Sequence, residues 1–196
     1  LVGDVARQGI VIVSGLALGM DGLAHQAAVD NGGKTIAVLP GPVETIYPRS
    51  HQQLAQRILQ CGGALISEYP EGTNVHKFNF IARNRLIAGV SNATLITEAA
   101  LKSGSLHTAR FTLEQGKDVL AVPGDITSPT SEGTNNLIKH GATPITKTSD
   151  ILFALGVNPV PFKAPVQGSS DAETVILQLL VDGHHDGETL QVHSGL

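Results

Sequence analysis

Six short apolar runs, at 10–14, 35–39, 64–68, 93–98, 119–123 and 144–146, alternate with stretches patterned for helices. This alternation constrains the fold more than any other feature. The runs are nearly continuous rather than alternately apolar and polar, so they suit strands buried on both faces. The helical stretches fall at 21–31, 49–61, 82–90, 104–116 and 133–141, and 1–8 reads as the tail of another helix feeding the first run. Several close on glycine ("DNGG", "QCGG", "EQG", "KHG"), the usual signal just past a last turn. The pattern predicts an α/β fold with a Rossmann-like, doubly wound, mostly parallel sheet. Such a sheet normally opens on a strand and loop ahead of its first helix, so these are expected to be missing. With no Trp and 4% aromatic residues, the core must be built from Ala, Val, Ile and Leu.

The Pro-, Gly- and Ser-rich stretch 158–170, "NPVPFKAPVQGSS", reads as a linker that ends a first domain at 157. Beyond it, 171–183 has one apolar helical face (Val175, Ile176, Leu179, Leu180), and "GETLQVHSGL" starts a second helix. A segment of 26 residues cannot bury a stable core unaided, so 171–196 is expected to be a truncated small domain. Residues 165–196 hold five acids and no Lys or Arg, which argues against nucleic-acid binding by that segment alone. No run approaches the roughly 20 apolar residues of a membrane span, and "LVGDVARQG" lacks the features of a secretory signal. Cys61 is the single cysteine, which suits a reducing cytoplasm. "HHDGETLQVH" has no spacing known for metal ligands and reads as exposed polar residues, so no metal or cofactor is expected.

The net charge of −4 hides an asymmetry. Residues 72–117 carry six cations (Lys77, Arg83, Arg85, Lys102, Arg110, Lys117) and two anions (Glu98, Glu114), a local +4 on an otherwise acidic body. A local basic field of this kind draws anions. Ligands of open α/β sheets bind beyond the carboxyl ends of the strands, and three loops there open helices with backbone N–H groups that suit phosphate. They are "SGLALGMDGLAH", with Asp21 as its N-cap, the Ser103–Gly104–Ser105 turn, and the loop reaching Gly133 and Thr134. No P-loop, GxSxG elbow, HExxH, dinucleotide fingerprint or nucleophile–base pair is present. His25 and His107 lie on helices, where an exposed or core-satisfied ring is the ordinary state. Glu98 is expected to pair with Arg83 or Arg85 rather than act as a base. From spacing alone, Phe78 and Phe80 are expected in the core.

Seven ordered motifs, "SGLALGMDGLAH", "IAVLPGPVETIYP", "ALISEYP", "FIARNRLIAGVS", "EAALKSGSLHTAR", "DVLAVPGDI" and "EGTNNLIKHGA", resemble the DprA/Smf family of DNA-processing proteins. The resemblance covers about residues 1–156, and 171–196 is similar in position to the family's C-terminal winged-helix domain. It implies a homodimeric, non-enzymatic recombination mediator that binds single-stranded DNA without strong sequence preference. It also implies protection of incoming DNA during natural transformation and loading of RecA recombinase. Transferred residue by residue, it places Lys77 and Arg83 on phosphates, Phe80 on a base and Asn84 at a polar contact or cap, with Ser14 and Gly15 lining the pocket. Ser103, Gly104 and Ser105 add an anion seat, Phe78 stays in the core, and Arg85 turns away to pair with Glu98. Ile81 replaces the family's usual proline, and the family's Gly-Ser/Thr-Arg loop is expected to be absent. The dimer interface is expected around 133–141 and the following strand. The alternative is a nucleotide-binding phosphoribohydrolase of the lysine-decarboxylase-like group, but its PGGxGTxxE motif has no match here. A dinucleotide-binding regulator is disfavoured because GxGxxG is missing.

Overall fold

A computed structural model describes residues 1–158 and 168–195. The elements follow in order: α1 (Val2–Arg7), β1 (Ile12–Ser14), α2 (Met20–Asp30), β2 (Thr35–Val38), a 3-10 turn (Arg49–His51), α3 (Gln52–Gln60) and β3 (Ala64–Ile66). The second half holds α4 (Lys77–Val90), β4 (Ala93–Ile96), α5 (Ser105–Glu114), β5 (Asp118–Ala121), α6 (Glu132–Lys139), β6 (Thr143–Pro144) and α7 (Thr148–Ala154). Two helices, α8 (Asp171–Val181) and α9 (Gly187–Ser194), come after these. The chain divides into two compact units, Leu1–Val160 and Pro161–Leu196, each described by itself.

The expected α/β class is what the first unit adopts. Every strand pairing is parallel, in two hydrogen-bonded sets of order β1-β2-β3 and β4-β5-β6. Ser14 lies level with Ala37, and Val38 with Ile66, so the first set's carboxyl ends emerge together. Burial follows the continuous apolar runs: Ala37, Val38 and Ala121 are wholly inaccessible and Leu120 nearly so. One cluster (Leu16, Val29, Leu39, Leu54, Ile58) fills the space around β2. A second joins Val5, Leu120, Ile145 and Ile151, with Ile12 of β1 and Leu95 of β4 packed against it, so both strand sets share it. Gly62 leaves α3 at φ 73°. At the next residue, Gly63, a Cβ would stand 2.2 Å from the Thr35 carbonyl oxygen, so α3 can return to the sheet only through glycine.

Two elements differ from expectation. Helix α4 starts at Lys77 rather than 82, because Asn79 and Arg83, four apart on one face, are both tied to strand-end carbonyls. Helix α7 has no counterpart in the sequence reading. Its start is fixed by Asp150, whose carboxylate accepts from the backbone N–H groups of Thr146 (2.9 Å) and Lys147 (3.1 Å). The expected 158–170 linker lies almost wholly outside the described residues. In the second unit, Ser170 caps α8 and Asp186 caps α9, and neither helix buries a residue. Among the described residues no helix is long and apolar enough to cross a membrane, and no group of three or more His, Cys, Asp or Glu could hold a metal ion. The His184 and His193 rings stack at 4.9 Å.

Candidate functional site

Helix α4 organises the carboxyl-end edge. Asn79 is buried and its Nδ2 donates to the Pro40 carbonyl just past β2, at 3.0 Å. One turn on, Arg83 is 3% exposed, and its Nη1 donates to Gly15 O at 2.6 Å and also to Val38 O. A single guanidinium thus holds the ends of β1 and β2 together. Its Nε donates to Asn84 Oδ1 at 3.2 Å, and Asn84 reaches the Gly104 carbonyl at 3.4 Å, linking α4 to the start of α5. Gly15 makes the arrangement possible, since a Cβ there would lie 2.5 Å from Arg83 Nη2. Burial pushes the Arg83 guanidinium below its ordinary pKa, while the Asp21 and Tyr69 charges act the other way.

This corrects the expectation for Arg83. It lies beneath the β1 loop at 3% exposure, with Nη1 turned to two carbonyls and Nε to Asn84, a position that speaks against the expected phosphate contact at the surface. The spacing could have signalled this, because Asn79, Arg83 and Ile87 recur every four residues and all are buried. Phe78 also departs from expectation. It is 67% exposed and stacks in parallel on His76, with centroids 5.4 Å apart and planes 7° apart. Phe80 is half-buried, packed at 74° to Tyr47 with centroids 5.6 Å apart, and the Arg83 guanidinium stands 6.0 Å over its ring. Arg85 does turn away from Arg83, but its partner is Glu68, not Glu98. Glu98 is exposed and makes no ion pair among the described residues. The reason is topological: Glu68 lies two residues past the end of β3, the strand that α4 follows, which brings it within reach of Arg85.

The local charge is also rearranged. Arg110 pairs with Glu114 at 3.3 Å, and Lys117 donates to Ala88 O (2.9 Å) and Gly89 O (2.6 Å) at the end of α4. Of the six cations, Lys77 and Lys102 are exposed with no bonded partner among the described residues.

The three anion seats have different fates. In the β1 loop, Ser14 Oγ donates to Asp21 Oδ1 at 2.8 Å and Ala17 N–H to Asp21 Oδ2 at 3.2 Å, so the protein's own carboxylate takes these donors. Asp21 is therefore not the N-cap of α2, which is Gly19. The Gly133 N–H bonds to Ala99 O at 2.7 Å, and a Cβ on Gly133 would lie 2.6 Å from that oxygen, so this turn serves packing. The α5 start stays open. Gly104 is its N-cap without a side-chain bond, and the Ser103 and Ser105 hydroxyls bond each other at 2.8 Å. Behind β1, His25 is fully buried, its Nδ1 2.7 Å from Thr35 Oγ1, and burial pushes its pKa down to about 4.

Comparison with known proteins agrees with this architecture. The family model for DNA recombination-mediator protein A matches residues 1–156. Protein Smf of Escherichia coli K12 is 51% identical over 148 residues, which is 76% of this chain and 40% of that protein. DNA processing protein DprA of Bacillus subtilis is 41% identical over 165 residues, 84% of this chain and 55% of that one. The chain thus spans about half or less of the length of these relatives. The solved DprA of Streptococcus pneumoniae superposes with a TM-score of 0.71 at 42% identity, covering 78% of this chain and 53% of the other. A Helicobacter pylori DNA processing protein A, solved for its single-stranded DNA binding mode, also reaches 0.71, at 35% identity over 79% of this chain and 70% of that one. With a parallel α/β unit organised by α4, and a family match across nearly the whole of that unit, the chain belongs to the DNA recombination-mediator protein A family.

Proposed function

We propose that this chain binds single-stranded DNA along the carboxyl-end edge of its first unit and serves as a non-enzymatic recombination mediator. The observation that carries the reading is the pairing on α4 of an exposed cation, Lys77, with a half-exposed aromatic, Phe80, in a chain of this family. Lys77 takes a phosphate and Phe80 a base. Asn84 with the open Ser103–Gly104–Ser105 turn takes the next phosphate, and Ser14 and Gly15 form the floor. Sequence tolerance follows, because every base offers a flat face and every phosphate one charge. Protection of an incoming strand, RecA loading and homodimerisation belong to the same reading, as does a cytoplasmic setting. They are supported by family membership and by a relative solved for its single-stranded DNA binding.

Titrating fluorescent oligo-dT and a matched duplex at two salt concentrations tests the binding. The single strand should bind more tightly, with affinity falling as salt rises. Lys77→Ala should reduce the salt slope by about one unit, as expected for a lost phosphate contact. Phe80→Ala should cost about 1–3 kcal/mol. Preference for the duplex, or wild-type binding by the Lys77→Ala/Phe80→Ala double variant, would overturn the assignment. RecA filament formation on the bound strand, measured by its ATPase, tests the loading step. Nucleotide turnover lost in Glu98→Gln would instead favour an enzyme.

A further inference from the structure

Phe78 is the largest apolar side chain that α4 leaves in solvent, at 67% exposure in a helix that buries Ile87 and Ala88. Its ring is nevertheless held in place. His76 lies parallel against one face at 5.4 Å and 7°, which leaves the other face open. A parallel stack with one free face is the arrangement that a planar heterocycle extends, because an offset-stacked ring gains contact area and quadrupole attraction together. Phe80 differs: it sits at 74° to Tyr47 and has the Arg83 guanidinium over its ring, so it is the more enclosed of the two.

Residues two apart on a helix point about 200° away from each other, so one base cannot touch both rings. Ile81, 44% exposed and three residues on, shares the Phe78 face and extends its apolar surface. Lys77 directly precedes Phe78, stands three residues before Phe80 and is exposed, and α4 has no acidic residue in its first turn to repel a phosphate.

We propose that the open face of Phe78, backed by His76, is a second base-stacking seat for single-stranded nucleic acid. A strand held by Lys77 and Phe80 would continue round the start of α4 onto it. This rests on the single-strand reading above and deepens it, because it makes α4 a platform for two separately stacked bases rather than one. The occupant is a nucleic-acid base rather than a protein side chain, because the seat adjoins the exposed Lys77 cation and no acid flanks it in that turn.

The test uses the full chain with Phe78→Leu, which keeps the apolar bulk and removes the aromatic face, and Phe78→Ala. The site is exposed, so both variants should keep the wild-type melting temperature. Affinities are measured for an oligo-dT series of rising length and for an abasic phosphodiester chain of the longest length. Phe78→Leu should lose about 5- to 150-fold on long oligo-dT, the worth of one stacked base. It should lose nothing on the abasic chain, and its salt slope should be unchanged, since no phosphate contact is removed. The loss should disappear once the oligomer is too short to reach beyond Phe80. Wild-type affinity of Phe78→Leu at every length, with Lys77→Ala still impaired, would overturn this proposal alone and return Phe78 to a protein contact. An equal loss on dT and on the abasic chain would overturn it too. Absence of single-strand binding by the wild type would remove both readings.

Discussion

Arg83→Ala should lower the stability of the first unit by about 3–5 kcal/mol, seen as a fall in the denaturant midpoint with little change in slope. Truncation leaves the Gly15 and Val38 carbonyls without the donor they share and opens a cavity where the side chain crosses beneath β1. Arg83→Lys should recover only part of the loss, because an ammonium is a compact point charge and cannot span two carbonyls as a planar fork does. The same variants separate two roles in DNA binding. A guanidinium on a phosphate would take about one unit of salt slope with it when removed. Arg83 acts through the β1 loop, so any loss of single-strand affinity should leave the slope unchanged. Gly15→Ala should resemble a mild Arg83 variant, since its methyl would lie 2.5 Å from Nη2.

Stability should also fall by about 3 kcal/mol as pH is lowered from 6.5 to 4, through His25 alone. In the folded chain this ring stays neutral down to about pH 4, whereas in the unfolded chain it takes up a proton near 6.5. Between those values the unfolded state binds more protons, so acid favours unfolding. The cause is burial: the ring is inaccessible, and its Nε2 has no hydrogen-bond partner to help carry a charge. In the first unit the shifted carboxylates, all aspartates, act below this window. Asp4, held down by the Thr148 hydroxyl, and Asp150, held down by the Thr146 backbone N–H, contribute above the ordinary carboxylate range and lose their effect only as pH falls below about 4. Denaturant midpoints at pH 7.0 and 4.5 should differ strongly in the wild type and little in His25→Gln. A pH-independent wild type would contradict the neutral buried ring.

The strand–helix alternation was legible because continuous apolar runs and glycine stops are local signals. Each of the six runs contains or overlaps a strand, and α5 starts at Ser105, within the Ser103–Gly104–Ser105 turn read as its opening. The miss at α7 came from a short element whose start is set by Asp150 reaching back to Thr146 and Lys147, a side-chain interaction that periodicity does not register. The first turn of α4 was missed for a related reason. Phe78 and Phe80 look like core residues, yet the buried positions there belong to Asn79 and Arg83.

By itself, then, the sequence determined the fold class, the parallel order of strands and helices, the family, and the stretch of chain that forms the edge. Those depend on spacing of apolar and glycine residues along the chain. Only the tertiary structure decided which charges are engaged within the protein and which stay free in solvent. It placed Arg83 under the β1 loop, Asp21 in the loop's own donors, Arg85 on Glu68 at the surface and Lys117 at the end of α4, leaving Lys77 and Lys102 exposed with no bonded partner among the described residues. A charge count along the chain cannot make that distinction, because burial and partner choice are set by residues brought together across the sheet. The pairs Arg83–Gly15 and Lys117–Ala88, for example, are 68 and 29 positions apart.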